Sequence, residues 1–109
     1  MPRLSTDFSD TEPGAVGDYT IDFGLNVSAG NTIVTAPWSL AVRYVAPGYD
    51  IDPAPSSRLT GAPTISGTAV VQRIGTIYDG NTYLVTTTGT MNDGEIVILW
   101  CTLPCVAPA

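Results

Sequence analysis

The chain has no histidine and no lysine, and its only side-chain cations are four arginines, set against ten aspartates and glutamates. Histidine is the commonest general base, and histidine and lysine are the usual activators of a serine or cysteine nucleophile. Their absence argues against an enzyme. A net charge of −6 argues against nucleic acid as a partner, because that affinity comes from Lys and Arg neutralising phosphates. It argues equally against an anionic membrane surface. The longest apolar run, Ile96 to Trp100, is far short of the roughly 20 residues that a spanning helix needs. No apolar stretch follows Arg3, so the sequence shows no signal peptide and the expected place of synthesis is the cytoplasm.

Cysteine is also scarce. Cys101 and Cys105 flank Leu103-Pro104. A disulfide across so tight a loop is strained, and a metal site lacks the remaining His or Cys ligands. Two free, partly buried thiols are the expectation. No phosphate loop or dinucleotide fingerprint is present, and no cofactor is expected.

What the chain does have is apolar mass. Hydrophobic residues make up 44% of it and charged residues 13%, the reverse of a disordered composition. A length of 109 residues suits a single domain with one core. Residues 1–17 carry Asp7, Asp10, Glu12 and Pro13-Gly14 without a sustained period, and read as an acidic arm. Residues 18–109 then form the domain.

Period-2 alternation marks the strands. Tyr19, Ile21 and Phe23 share one face of a first strand, and Asn31 to Ala36 is a second, stopped by Pro37. Trp38 to Val45 is a third, with Trp38, Leu40, Val42 and Tyr44 expected inward. Thr68 to Ile74, Thr82 to Thr88 and Glu95 to Leu103 follow, linked through Asp79-Gly80 and Asp93-Gly94. Asp-Gly between alternating runs is a hairpin signal, which predicts an antiparallel meander. Tyr49 to Pro63, with Pro53, Pro55 and Pro63, predicts an exposed loop rather than a helix or central strand. About six to seven short strands in a chain this long predict an all-β fold, an immunoglobulin-like antiparallel β-sandwich, with a small barrel as the alternative. The Cys…Trp…Cys landmark of antibody domains is missing.

Candidate contact residues come from the arm and the loops. Asp7, Asp10 and Glu12 are acidic and lie outside any packed element. Tyr49 and Tyr78 fall beside Pro and Gly, and loop tyrosines are enriched at interfaces. Asp50 and Asp52 share the long loop. As a calcium or acid–base pair they lack the glycine-centred ligand spacing of a calcium loop, so they are grouped with the contact residues.

Read in order, the motifs run from Glu12-Pro13-Gly14 leading into Tyr19-Thr20-Ile21, through Gly30-Asn31-Thr32-Ile33, to the strand opening at Trp38. In the second half come Ala69-Val70-Val71-Gln72, Gly80-Asn81-Thr82-Tyr83-Leu84-Val85 and the turn at Asn92-Asp93-Gly94. In this order they resemble the fiber-tail adaptor family of tailed bacteriophages. The likeness spans residues 10 to 103. It departs from the family pattern at Gly75 to Tyr83, at Asn92-Asp93-Gly94, and in the loop from Tyr49 to Pro63. The resemblance implies a virion structural protein, made in the host cytoplasm, that joins tail, neck, portal or fiber proteins. It also implies a symmetric homo-oligomer and exposed strand edges open to a partner. A capsid decoration or head-fiber base protein and an immunoglobulin-like host-binding module are the alternatives.

Overall fold

The computed structural model describes residues 8, 13–24, 27–28 and 30–105. Seven strands build it: β1 (Val16–Asp22), β2 (Ile33–Thr35), β3 (Trp38–Val45), β4 (Leu59–Ser66), β5 (Ala69–Gly75), β6 (Asn81–Met91) and β7 (Ile96–Pro104). A 3-10 turn, Pro55–Arg58, precedes β4. The strands form two antiparallel sheets, one ordered β1-β5-β4, the other with β6 flanked by β2 and β3 on one side and β7 on the other.

This is the immunoglobulin frame. With β1 as strand B and β7 as strand G, the sheets read B-E-D and C-F-G. β2 and β3 run along the same edge of β6, interrupted at Pro37, whose carbonyl accepts from Thr88 N at 3.1 Å. Two further landmarks fit. Trp38 is buried at the start of strand C, and Tyr83, near the start of strand F, accepts a main-chain N–H from Tyr78 at 2.9 Å. This is the tyrosine corner. The cysteine that follows it by two residues in antibody domains is here Val85, fully buried.

The core lies between the sheets. Ile21, Phe23, Val70 and Ile74 come from one, Leu40, Tyr83, Val85, Met91, Leu99 and Leu103 from the other. Each such side chain contributes about 1.5–3 kcal/mol by leaving water. β6 is the central strand of its sheet and alternates without a break between buried and half-buried positions. Gly89 interrupts its bulky inner row because a Cβ there would stand 2.9 Å from the Phe23 ring. Phe8 seals one side of the sandwich. Its N–H donates to Thr102 O at 3.1 Å, while its ring stacks on Trp38 and tilts against Tyr19.

Several expectations need correction. The last three strands are not one meander, because β5 pairs with β1 and β4 in the other sheet. Asp79-Gly80 therefore lies on a crossing between sheets, whereas Asn92-Asp93-Gly94 does close the β6–β7 hairpin, with Gly94 N donating to Met91 O at 3.0 Å. The segment Tyr49–Pro63 is only half loop. It enters the 3-10 turn and then edge strand β4, where Pro63 sits in a gap between the Thr60 and Thr64 pairings and costs no ladder bond.

Tyr44 is 56% exposed rather than inward. Val42 pairs with Tyr83, yet Tyr44 pairs with Thr82, so Arg43 is a bulge and every residue after it swaps faces. The arm boundary at residue 17 falls inside β1, and Phe8 packs against the core. Cys101 and Cys105 are not joined in a disulfide, as expected, and both are buried.

Candidate functional site

The loop leaving β3 is built around one buried carboxylate. Asp52 is 3% exposed, and each of its oxygens accepts two hydrogen bonds. Arg58 Nη2 and Ala54 N reach Oδ1, both at 2.9 Å. Arg58 Nε at 2.9 Å and the Tyr83 hydroxyl at 2.8 Å reach Oδ2. The two Arg58 bonds form the planar fork that matches a carboxylate. Behind this pair, Asn81 accepts from Asp52 N at 3.0 Å and donates to Asp50 O at 2.8 Å and Asp79 O at 3.0 Å. Asn81 thereby ties the loop to the crossing between sheets.

The electrostatics follow from these contacts. The Arg58 fork, opposed by burial, holds the Asp52 carboxyl below its ordinary value. Burial raises the Tyr83 phenol, and the Asp52 carboxylate it donates to raises it further. Asp52 is thus an anion with every acceptor position filled from inside the chain. The expectation that it faces a partner is corrected, since the carboxylate is the anchor of the loop and leaves no oxygen for a ligand.

The anchor decides what the loop presents. Tyr49 is 48% exposed, and Ile51 62%. Asp50 is exposed between them. Tyr78 is half-buried on the opposite flank, with the Arg58 guanidinium 4.9 Å over its ring. The loop tyrosine and Asp50 therefore stand where sequence reasoning puts them, at the surface, and Tyr78 is a wall of the anchor. Asp7, Asp10 and Glu12 lie outside the described residues. Sequence reasoning missed Ile51, Arg58 and Asn81. An isoleucine between two aspartates in a proline-rich loop was the available signal for Ile51.

Among the described residues, no three His, Cys, Asp or Glu side chains gather in a way that could hold a metal ion, and no helix is long and apolar enough to cross a membrane. Each described arginine is engaged within the chain: Arg43 over Trp100, Arg58 on Asp52, and Arg73 on Asp18 at 3.0 Å. An open apolar groove, lined by Val34, Ala36, Pro37, Pro63 and Ile65, lies between β2 and β4. No protein-family model and no curated protein matches the chain.

Proposed function

We propose that this chain is a structural component of a tailed-bacteriophage virion, an adaptor in the tail or neck region that joins fibers or neighbouring tail proteins. The observation that carries this reading is the pair Tyr49 and Ile51, apolar and exposed on a loop that the buried Asp52–Arg58 fork braces from behind. Apolar side chains on a fixed backbone lose little freedom on docking, which favours a standing protein contact. Tyrosine is among the residues enriched in such anchors. The ordered likeness to fiber-tail adaptors supports the particular setting. Asp50 and the overall charge of −6 favour a partner surface with arginine or lysine around an apolar pocket.

Quantitative mass spectrometry of purified virions tests the setting, with portal and major capsid protein as internal references. A copy number matching the portal supports the adaptor. A number matching the capsid protein sinks it in favour of decoration, and absence from the particle sinks every virion reading. The loop is tested separately with Ile51→Asp, which leaves the isolated protein's stability within about 0.5 kcal/mol and removes the chain from particles. Normal incorporation of that variant would move the contact elsewhere on the surface.

A further inference from the structure

A two-sheet sandwich has four strand edges, and in this chain they are treated unequally. On β4 the ladder lapses between Thr60 and Thr64, with Pro63 in the gap and the buried Gln72 amide donating to the carbonyls of Thr60 and Gly61. The β2–β3 edge breaks at Pro37 and bulges at Arg43, and the 3-10 turn packs against β3. β7 gives the Thr102 carbonyl to Phe8 and ends in Pro104. Prolines, bulges and covering segments are the devices by which sheets close their edges to other chains.

Among the described residues, β1 has none of these. Its ladder with β5 runs through seven consecutive pairs without a shift, and it contains no proline. The bonds that bracket the ladder fix which atoms face outward. Thr76 N donates to Ala15 O at 3.1 Å and Phe23 N to Thr68 O at 2.8 Å. Odd-numbered residues of β1 therefore bond β5, and the N–H and C=O groups of Asp18 and Thr20 point away from the sheet. No described residue meets them. In the immunoglobulin frame with sheet order A-B-E-D, this is the side where strand A lies.

We propose that the outer edge of β1 is an acceptor site for an extended, basic strand donated by another protein. The main-chain groups of Asp18 and Thr20 supply the ladder bonds, the β-augmentation mode of recognition. The chemistry of the partner follows from the side chains. Asp18, Thr20 and Asp22 line the solvent face of β1. Asp18 is shared with Arg73, while among the described residues Asp22 holds the Gly24 N–H and the Thr68 hydroxyl. A donated strand with lysine or arginine at alternate positions meets both carboxylates. Its intervening apolar residues turn inward against Tyr19 and Phe8, which are half-buried at this mouth of the sandwich. A second copy of the chain is a poor donor, because antiparallel self-pairing centred on Thr20 sets Asp18 against Asp22, and opposed like charges destabilise a ladder.

The test uses the purified chain and a capped peptide of alternating lysine and valine, as long as β1. A second peptide carries glutamate in place of lysine. Amide hydrogen exchange is followed by NMR. The lysine peptide slows exchange at Asp18 and Thr20 by about tenfold or more, added salt weakens the effect, and the glutamate peptide has none. Thr20→Pro removes an outward N–H that no described residue bonds, and abolishes the protection while the melting temperature stays close to that of the parent. Should that variant fold poorly, the exposed double change Asp18→Lys with Thr20→Lys switches preference to the glutamate peptide. Protection at β4 or β7, equal response to both peptides, or no binding overturns the proposal.

Discussion

The ring of Tyr49 lies across the backbone of Gly80, so close that a Cβ on that glycine would come within 2.2 Å of the ring's Cγ. Gly80 also has φ +75°, where side chains are strained. Two further bonds fix the pair, Ala46 N to Gly80 O at 2.8 Å and Gly80 N to Cys105 O at 3.0 Å. Gly80→Ala is expected to destabilise the fold by about 1–3 kcal/mol and to expel the Tyr49 ring. Denaturant unfolding reads the first effect and tyrosine fluorescence the second. Unchanged stability would mean that the loop is not seated on the crossing between sheets.

Tyr83→Phe removes one hydroxyl that serves two partners, leaving Tyr78 N–H without an acceptor and Asp52 one donor short. The expected loss is about 1–3 kcal/mol. Asp52→Asn breaks the Arg58 fork, with an expected loss of about 3 kcal/mol. The two changes act on one network, so the double variant loses less than the sum. Strict additivity in chemical unfolding would contradict a shared network.

Stability should also depend on pH through Asp52. Its folded-state value is depressed by Arg58, so the stabilisation is fully present above the ordinary value near 3.8. It is lost as pH falls through the lower, folded value. The difference in melting temperature between the parent and Asp52→Asn is expected to be constant from pH 5 to neutral and to shrink below about pH 4. A difference that grew on acidification would reverse the sign and dismiss the ion pair as its source.

Trp38 and Thr87 face each other across β3 and β6, and Trp38 Nε1 and Thr87 Oγ1 are buried polar atoms with no hydrogen-bond partner among the described residues. Thr87→Val keeps the shape and removes one desolvated hydroxyl. It is expected to leave the melting temperature unchanged or raise it. A fall of several degrees would show that the hydroxyl is satisfied in solution.

Both thiols should be inert in the folded protein. Cys101 and Cys105 are buried, and burial pushes the Cys105 thiol up to about 11. Reaction with an aromatic disulfide reagent at pH 8 is expected to track global unfolding, because the nucleophile is the thiolate. Rapid labelling under native conditions would place a thiol at the surface.

Most of the framework could be read from the sequence because alternation is a local signal. Alternation delimits Trp38–Val45 to the residue, and Asp93-Gly94 marks the β6–β7 hairpin. Sheet membership was not legible. Asp79-Gly80 is the same dipeptide as Asp93-Gly94, yet one crosses the sandwich and the other folds back, a choice settled by long-range pairing with β1 and β4. Strand β4 was hidden by Pro63, which is tolerated only because that edge has a gap there. At the site, Tyr49 and Asp50 could be expected at the surface from loop composition. The burial of Asp52 could not, since it depends on Arg58 closing a fork across the 3-10 turn and on Tyr83 arriving from another strand.

Arg43 has a consequence of its own. The bulge acts as a parity switch, with even positions of β3 facing the core before it and odd positions after it. Deleting this residue would leave Tyr44 opposite Thr82 and still outward, whereas drawing Arg43 into a regular ladder opposite Thr82 would send Tyr44 inward and Val45 out. The Arg43 guanidinium lies over Trp100, 5.2 Å away. In this strand, one residue held out of the ladder keeps the Tyr44 ring on show to its surroundings.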